Sequence, residues 1–208
     1  PGSALTFSVL LRPGVPVERL GWVPLIGGLA VVQALSGLGL APVLKWPNDV
    51  LLPAVTAVPG WGAYRKVAGL LGDLVVEGEP AVVLGIGVNV HQAADELPVP
   101  SATSVRLAGL RLGRAELLAA VLDRLFVLMD QWRADGGVAT GAIAESCAAA
   151  CMTIGRTVRV EAPGGEVVEG LAVGLAEDGA LLVDSAGRRR AVLAGDVTLR
   201  DADGSPAV

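Results

Sequence analysis

The five residues Lys45-Trp46-Pro47-Asn48-Asp49 carry most of the chemical information in this chain. They stand between two apolar stretches, one ending at Val43-Leu44 and the other covering Val50-Leu51-Leu52. A cation, an amide and a carboxylate so close together are costly to bury unless each polar group has a partner. A bound ligand is a natural partner for one of them. The run therefore predicts a binding site beside a strand.

A second lysine, Lys66, begins an apolar segment that is typical of a strand. A lysine in this position is by default a solvated charge. Gly69 interrupts the same segment, and Gly85 and Gly87 interrupt the next one. Because a glycine weakens a strand unless a bulge or a close backbone approach explains it, neighbouring strands with such glycines would form a floor without side chains, suited to a flat ligand. Gly69 could also be a simple packing glycine. Gly85 and Gly87 do not form a dinucleotide-binding fingerprint, since the third glycine and the following helix are missing.

Two asparagines and two charged residues are candidates for contacts with a nucleotide. The amides of Asn48 and Asn89 can each donate to and accept from an adenine edge, although either amide could instead cap a turn. Asp49 could serve Mg²⁺ on a phosphate group or orient a neighbouring side chain, because Mg²⁺ beside a nucleotide takes only one or two protein carboxylates. Arg200 ends the last predicted strand, where a surface arginine is the alternative interpretation.

Composition narrows the class of protein. The chain has 208 residues, of which 52% are hydrophobic and 3% aromatic, so its core must consist mainly of Ala, Val and Leu. The formal net charge of −5 and the lack of a basic stripe argue against a nucleic-acid-binding surface. Cys147 and Cys151 are expected to be buried thiols rather than metal ligands. Without an uninterrupted apolar span or a signal-peptide pattern, the expected location is the cytoplasm.

Apolar periodicity predicts an α+β chain. The predicted helices cover 17–38, 114–134 and 139–152, with one or two helical turns in 101–110. The predicted strands cover 4–11, 66–76 and 81–90, with a further strand over 43–52 that the polar run interrupts, and a Pro/Gly-rich loop is expected over 53–64. From Gly155 onward, alternation and turns at short spacing predict about five short strands of a small barrel. A frayed tail is expected after Arg200.

Four ordered segments resemble the biotin protein ligases. They are the run 45–49, the segment 65–71, the Gly-Ile-Gly-Val-Asn-Val segment 85–90, and the C-terminal stretch 155–200. The resemblance implies a mixed β-sheet with packed helices, related to class II synthetase cores, followed by an SH3-like β-barrel. The implied domains are 1–152, N-terminally incomplete, and 153–202, with a tail at 203–208.

The resemblance also implies an activity and its participants. The expected reaction is ATP-dependent activation of biotin as biotinyl-5′-AMP, with Mg²⁺, and transfer of biotin to a lysine of a biotin carboxyl carrier domain of a carboxylase. The expected protein is a monomer or weak homodimer without nucleic-acid or membrane partners. The alternatives are a lipoate- or octanoate-type acyl transferase and a non-catalytic remnant that binds adenylate weakly.

Residue roles follow from the same resemblance. Lys66 is the expected catalytic residue, contacting the biotin carboxyl group and the adenylate. The biotin-binding set is Lys66, Gly69, Leu70, Leu71, Gly85 and Gly87. The nucleotide-binding set is Lys45, Trp46, Asn48, Asp49, Asn89 and Arg200, with Asp49 also the expected Mg²⁺ ligand; Trp46 could instead be a core aromatic.

One departure from the family pattern concerns the N-terminal part. A glycine- and arginine-rich loop and a Ser/Thr-rich element that holds the ureido ring precede the first strand in the family, and the sequence from Pro1 resembles the segment just after them. The expectation is therefore that this chain by itself binds biotin weakly and does not biotinylate a carrier, because the adenylate must be protected from water.

Overall fold

The computed structural model describes residues 2–59, 61–138 and 141–200. Its elements follow the order of the sequence-based prediction closely. The β-strands in chain order are β1 (Ala4–Leu11), β2 (Val43–Lys45), β3 (Asp49–Val58), β4 (Gly62–Val75), β5 (Ala81–Asn89), β6 (Thr157–Glu161), β7 (Val167–Leu175), β8 (Leu181–Ser185), β9 (Arg188–Val192) and β10 (Asp196–Arg200). The α-helices are α1 (Trp22–Gly37), α2 (Arg114–Ala134) and α3 (Ala142–Ala150), and short 3₁₀ turns cover Val17–Arg19 and Ala94–Glu96. The segment 101–110 forms turns without a regular helix.

The first sheet has the strand order β1-β5-β4-β3-β2. Its named strand pairs are all antiparallel, and two isolated parallel bridges, Leu44 with Cys151 and Lys66 with Ala102, add the only mixed character among the described residues. The helices pack against one face of this sheet, so the α+β class and the helix packing are confirmed. The opposite face carries the glycines of β4 and β5, with Gly69 directly across from Gly87.

Helix α1 lies between the sheet and the other helices and is buried on nearly all sides. Its Gly27-Gly28 pair permits close packing, as the sequence predicted. A Cβ atom on Gly27 would lie 2.7 Å from Leu84 and 2.9 Å from Leu70, and one on Gly28 would lie 2.6 Å from Leu44. Leucine side chains of the sheet therefore occupy the space that a Cβ atom on either glycine would need. No helix in the described ranges combines the length and the apolar character needed to cross a membrane.

The prediction of a loop over 53–64 is wrong. Strand β3 continues to Val58 and β4 already begins at Gly62, so the two strands form a long hairpin arm. Pro53 is tolerated because β2 pairs only with residues 49–51 of β3, which makes β3 an edge strand from that point. The register shifts between Pro53 and Val58, and Arg65 ties the arm together by donating to the carbonyl of Thr56 at 2.7 Å.

The second sheet contains the five predicted short strands, in the order β10-β6-β7-β8-β9. Its own small core is formed by buried residues of alternating strand positions, including Val158, Val160, Leu181, Val183 and Leu199. Within the described residues, the edge strands β9 and β10 are not paired with each other, so the sheet is not closed into a barrel. The predicted tail after Arg200 and residues 139–140 of the last predicted helix lie outside the described residues.

Candidate active site

The polar run 45–49 forms the tight turn between β2 and β3. Lys45 and Asp49 are direct partners across this pair, and the peptide bond between Trp46 and Pro47 is cis. Asn48 ties the turn to β4, because its Nδ2 donates to the carbonyl of Leu70 at 2.7 Å and its own carbonyl accepts from the Leu70 amide at 2.9 Å. The turn is therefore fixed by backbone partners on a neighbouring strand, and it presents Lys45 and Asp49 on one side.

A cavity of about 630 Å³ opens beside this turn. Strands β2 to β5 form one side of it, the segment 98–102 forms another, and β10 of the second sheet forms a third. Both lysines of the chain, Lys45 and Lys66, line it together with the carboxylates Asp49 and Asp196. The remaining lining residues are Trp61, Val67, Ala68, Gly69, Gly87, Asn89, Pro98, Val99, Ser101, Ala102, Val197 and Thr198.

Lys66 reaches this cavity because of a bulge in β4. Val50 pairs with Ala68 but the adjacent Leu51 pairs with Lys66, so Val67 is an extra residue that brings Lys66 and Gly69 to the same face. The Lys66 ammonium group forms an ion pair with Asp49, whose side chain is much less exposed, at 11% against 40%. A Cβ atom on Gly69 would lie 3.0 Å from Lys66 Cε and 3.1 Å from its Nζ. The lysine side chain therefore lies across a position that only glycine leaves free.

Lys45 is the more deeply buried of the two lysines, at 5% exposed. Its Nζ lies 4.7 Å from the centroid of the Trp61 ring, a cation–π distance. Burial lowers the pKa of Lys45, and the charge of Lys66 lowers it further, while Asp49 and Asp196 act in the opposite direction. An anionic group in the cavity would relieve this cost, since it would pair with the two neighbouring cations.

At the other side of the glycine floor, Asn89 is held by two hydrogen bonds. Its Nδ2 donates to the carbonyl of Thr103 at 2.9 Å, and its Oδ1 accepts from Gln92 Nε2 at 3.1 Å. Gln92 is itself buried, and its main-chain carbonyl accepts a hydrogen bond from the hydroxyl of the fully buried Ser104 at 2.7 Å. The amide of Asn89 is therefore held in one orientation, and its hydrogen bonds to Thr103 and Gln92 use one of its two N–H groups and one lone pair of Oδ1.

The structure brings six predicted site residues to the cavity. They are Lys45, Asp49, Lys66, Gly69, Gly87 and Asn89. Asn48, Leu70 and Leu71 line a smaller cleft of about 240 Å³ on the far side of the turn, together with Trp46.

The remaining predicted residues take other positions. Leu70 is buried beneath α1, whereas Leu71 is exposed on the open face beside its strand partner Gly85. Arg200 is partly buried in the second sheet and pairs with Glu169 at 3.7 Å. Gly85 and Arg200 are not among the residues that line the large cavity.

Residues that the sequence did not point to include several lining residues of the cavity, among them Trp61 and Asp196, and the buried Gln92 and Ser104 that support Asn89. Trp61 was inside the segment interpreted as a loop, although an isolated tryptophan beside a lysine-containing strand is a usable signal. Gln92 and Ser104 have no local signal, because they matter only through contacts with Asn89 or with each other. Asp196 starts a short strand that is remote in sequence from every other charged residue of the site.

Comparisons with known proteins find relatives among the biotin ligases. Residues 153–200 match the family model described as the biotin protein ligase C-terminal domain. The chain is 38% identical over 188 residues to the biotin–[acetyl-CoA-carboxylase] ligase of Mycobacterium tuberculosis, covering 88% of this chain and 64% of that protein. It is 26% identical over 205 residues to the bifunctional ligase/repressor BirA of Bacillus subtilis, covering 95% and 59% respectively. The chain thus spans roughly three fifths of the length of these curated relatives.

Solved structures of similar fold include biotin protein ligase from Aquifex aeolicus. The superposition has a TM-score of 0.74 at 29% identity and covers 95% of this chain and 82% of that one. A second structure of the Aquifex aeolicus protein, in complex with biotin and ATP, gives a TM-score of 0.72 at 28% identity and covers 95% and 78%.

Proposed function

We propose that this chain, which belongs to the biotin protein ligase family, forms an active site that joins biotin to ATP and then passes it to a lysine of a carrier protein. The observation that carries the proposal is the Lys66 ammonium group held beside a floor made by the facing glycines 69 and 87. A flat bicyclic ring fits a floor without side chains. A carboxylate at the end of its chain fits the fixed cation.

In the first step, a carboxylate oxygen of biotin attacks the α-phosphorus of ATP. A phosphorus–oxygen bond forms, the bond to the β-phosphate breaks, and biotinyl-5′-AMP and pyrophosphate result. Two anions must approach each other, so a preorganised cation that stabilises the developing charge is the main requirement. We assign this role to Lys66, and we assign contact with the phosphates to the buried Lys45.

In the second step, the amine of a carrier lysine attacks the carbonyl carbon of the adenylate. The carbon–oxygen bond to AMP breaks, AMP leaves with the bonding electrons, and the nitrogen loses a proton as the amide forms. The carrier is a biotin carboxyl carrier domain in this proposal. Asn89 would hold the adenine edge, since its amide is already oriented by Gln92 and Thr103.

Mg²⁺ is expected to bind together with the nucleotide. The cavity offers the carboxylates of Asp49 and Asp196, and Mg²⁺ on a nucleotide takes one or two protein carboxylates. The described residues contain no group of three or more metal-binding side chains, so phosphate oxygens and water would supply most of its ligands. The donor set fits, and Asp49 is the proposed protein ligand.

The test is the Lys66→Ala variant, assayed by pyrophosphate release with biotin and MgATP and by calorimetric binding of biotinyl-5′-AMP. Removing one preorganised charge should lower adenylate formation about 10²-fold. Biotinyl-5′-AMP binding should weaken at least about tenfold, the loss expected for a hydrogen bond to a charged group. If pyrophosphate release is too slow to detect, the binding of biotinyl-5′-AMP measured by calorimetry decides the assignment of Lys66.

Two comparisons make this test specific. Lys66→Arg should retain part of the affinity, and Arg133→Ala, on the exposed side of α2, should retain all of it. The assignment is wrong if the alanine variant binds biotinyl-5′-AMP as tightly as the unmodified chain. If lipoate supports pyrophosphate release better than biotin does, the assignment of biotin is wrong and lipoate is the acid that this site activates.

A further inference from the structure

A turn of the second sheet packs against the first sheet and its helix α1. This is the turn between β7 and β8, residues 176–179, and two buried tryptophans of the first sheet and its helix donate to it. Trp22 Nε1 donates to the carbonyl of Glu177 at 2.9 Å, and Trp46 Nε1 donates to the carbonyl of Gly179 at 3.1 Å. Both tryptophans are 1% exposed. Two indole N–H groups thus reach the same turn from two separate elements.

Backbone contact reinforces this junction. A Cβ atom on Gly21 would lie 2.3 Å from the carbonyl oxygen of Asp178, and one on Gly179 would lie 3.0 Å from the carbonyl oxygen of Gly21. Gly179 also has a φ of +86°, which L side chains rarely adopt. The turn therefore contacts the backbone that precedes α1 directly. The space between the two backbones is too small for a side chain at Gly21 or Gly179.

A second connection lies at the other end of Trp46. Its backbone N–H donates to the hydroxyl of the fully buried Thr153 at 3.0 Å, and the amide of Met152 donates to the carbonyl of Leu44 at 2.9 Å. The chain that leads into β6 is therefore attached to β2. Trp46 contacts the second sheet through both its backbone and its ring, and it is adjacent to Lys45 in the cavity.

The edge strand β10 of the second sheet forms a wall of the cavity. Strand β10 contributes Asp196, Val197 and Thr198 to the lining, and the charge of Asp196 acts on Lys45. Because β10 is hydrogen-bonded to β6 and β6 to β7, its place over the cavity depends on where the sheet is attached. The two contacts described above are attachment points of this kind.

We propose that Trp46, together with Trp22, is a positioning residue that sets the second sheet, and hence the β10 wall, at the nucleotide side of the cavity. In this role Trp46 does not contact the nucleotide. Its N–H is already used on a carbonyl of the partner sheet, and its ring does not line the cavity. The consequence for ATP rests on the proposed function, whereas the consequence for the placement of the sheet does not.

Trp46→Phe and Trp22→Phe, singly and together, remove the indole N–H while keeping an aromatic ring. Trp132→Phe is the matched control, because Trp132 is equally buried and its Nε1 has no hydrogen-bond partner among the described residues. Nitroxides on cysteines introduced at the exposed positions Asp73 of β4 and Arg189 of β9 report the separation of the two sheets by pulsed EPR. Calorimetry with ATP and with biotin gives the effect on the cavity.

The distance distribution should broaden in Trp46→Phe, broaden further in the double variant, and stay narrow in Trp132→Phe. Loss of one hydrogen bond of about average strength should weaken ATP binding about fivefold, while biotin binding to the β4–β5 floor stays within twofold. A general packing defect would instead lower the unfolding temperature of all three single variants by similar amounts. It would weaken the binding of ATP and of biotin by the same factor.

Three results would overturn the proposal. One is an unchanged distance distribution in the double variant. Another is a loss of ATP binding in Trp46→Phe with the distribution unchanged, which would make Trp46 a direct nucleotide contact. The third is a broadened distribution with unchanged ATP affinity. If the unmodified chain binds no ATP, the proposed function fails by that measurement, and the EPR distances alone decide the positioning role.

Discussion

The two five-stranded sheets of this protein differ in what covers them. The first sheet has helices on one face and a core of large buried side chains there, and its other face is bare, with Gly69, Gly85 and Gly87 side by side and Leu71 exposed. Within the described residues, the second sheet is followed by no helix, and it buries inner residues of its own, among them Val158 and Leu181. A sheet whose stability comes from one face can leave the other face to a ligand.

The charges are distributed in the same way. Both lysines, Lys45 and Lys66, belong to the first sheet, where burial and ion pairing fix them. Several charged residues of the second sheet pair with one another at its surface, as Arg190 does with Glu166 and Arg159 with Glu169. Exposed pairs of this kind contribute little to stability. Both lysines of the cavity thus come from the first sheet, and the second sheet supplies one of its walls.

The largest effect that would sharpen this comparison is expected for valine at a glycine of the first sheet. Gly87→Val should weaken biotin binding at least about tenfold, because its side chain would occupy the floor that the ring needs, and one tenfold step corresponds to about 1.4 kcal/mol. The fold should persist, since the nearest atom to an added Cβ is the carbonyl oxygen of Gly69 at 3.9 Å. Biotin calorimetry and circular dichroism give the two readouts.

Gly174→Val is the matched control in the second sheet, where nothing lies within 4 Å of an added Cβ. It should leave biotin affinity within twofold of the unmodified chain. Equal weakening by the two valines would mean that the bare face of the first sheet has no special part in binding.

A smaller effect is expected for the buried lysine. Because burial lowers the pKa of Lys45, the charged form is less stable in the folded protein than in the unfolded chain. Between that lowered pKa and the ordinary value of 10.5, the unfolded chain binds more protons, so the free energy of unfolding should rise with pH over this window. Lys45→Met should remove this rise and stabilise the protein at neutral pH, while weakening ATP binding.

Urea unfolding over a pH series measures both consequences. Arg133→Met, at an exposed position of α2, is the control and should change neither the slope nor the neutral stability. A Lys45→Met protein that is less stable at neutral pH would show that the pairing with Asp49 and Asp196 outweighs the cost of burial.

The smallest effect concerns the thiol behind the first sheet. Burial raises the pKa of Cys147 to about 12, and Cys151 adds to the shift. The protonated thiol therefore favours the folded state below the ordinary value of 9.0, and this contribution is lost as the pH rises from there toward 12. In a Cys151→Ser background, a disulfide reagent at pH 8 should react with Cys147 only as the protein unfolds.

Ala191→Cys, on the exposed β9 strand of the second sheet, supplies the comparison and should react at once. Rapid reaction of Cys147 in the folded protein would mean that the helix layer over the first sheet opens locally. That result would remove the contrast between the covered face of the first sheet and the exposed edge of the second.

Local patterns in the sequence were sufficient for most of the fold. The period of Leu117, Val121, Leu125 and Trp132 fixed α2 at its observed bounds, and alternation with turn residues located the five short strands after Gly155. These signals are local because helix and strand geometry repeat over a few residues. The hairpin arm over 49–75 was missed in part, since Pro53 is a turn signal that an edge strand can tolerate.

Residue types and spacing alone identified the candidates for chemistry, namely the polar run 45–49, Lys66 and the strand glycines. Which of these candidates lie together depends on the folded structure. A one-residue bulge at Val67 brings Lys66 to Asp49, and the docking of a remote turn directs Trp46 to the second sheet instead of the cavity. Such outcomes depend on strand register and on contacts between residues more than a hundred positions apart, and no local period in the sequence encodes them.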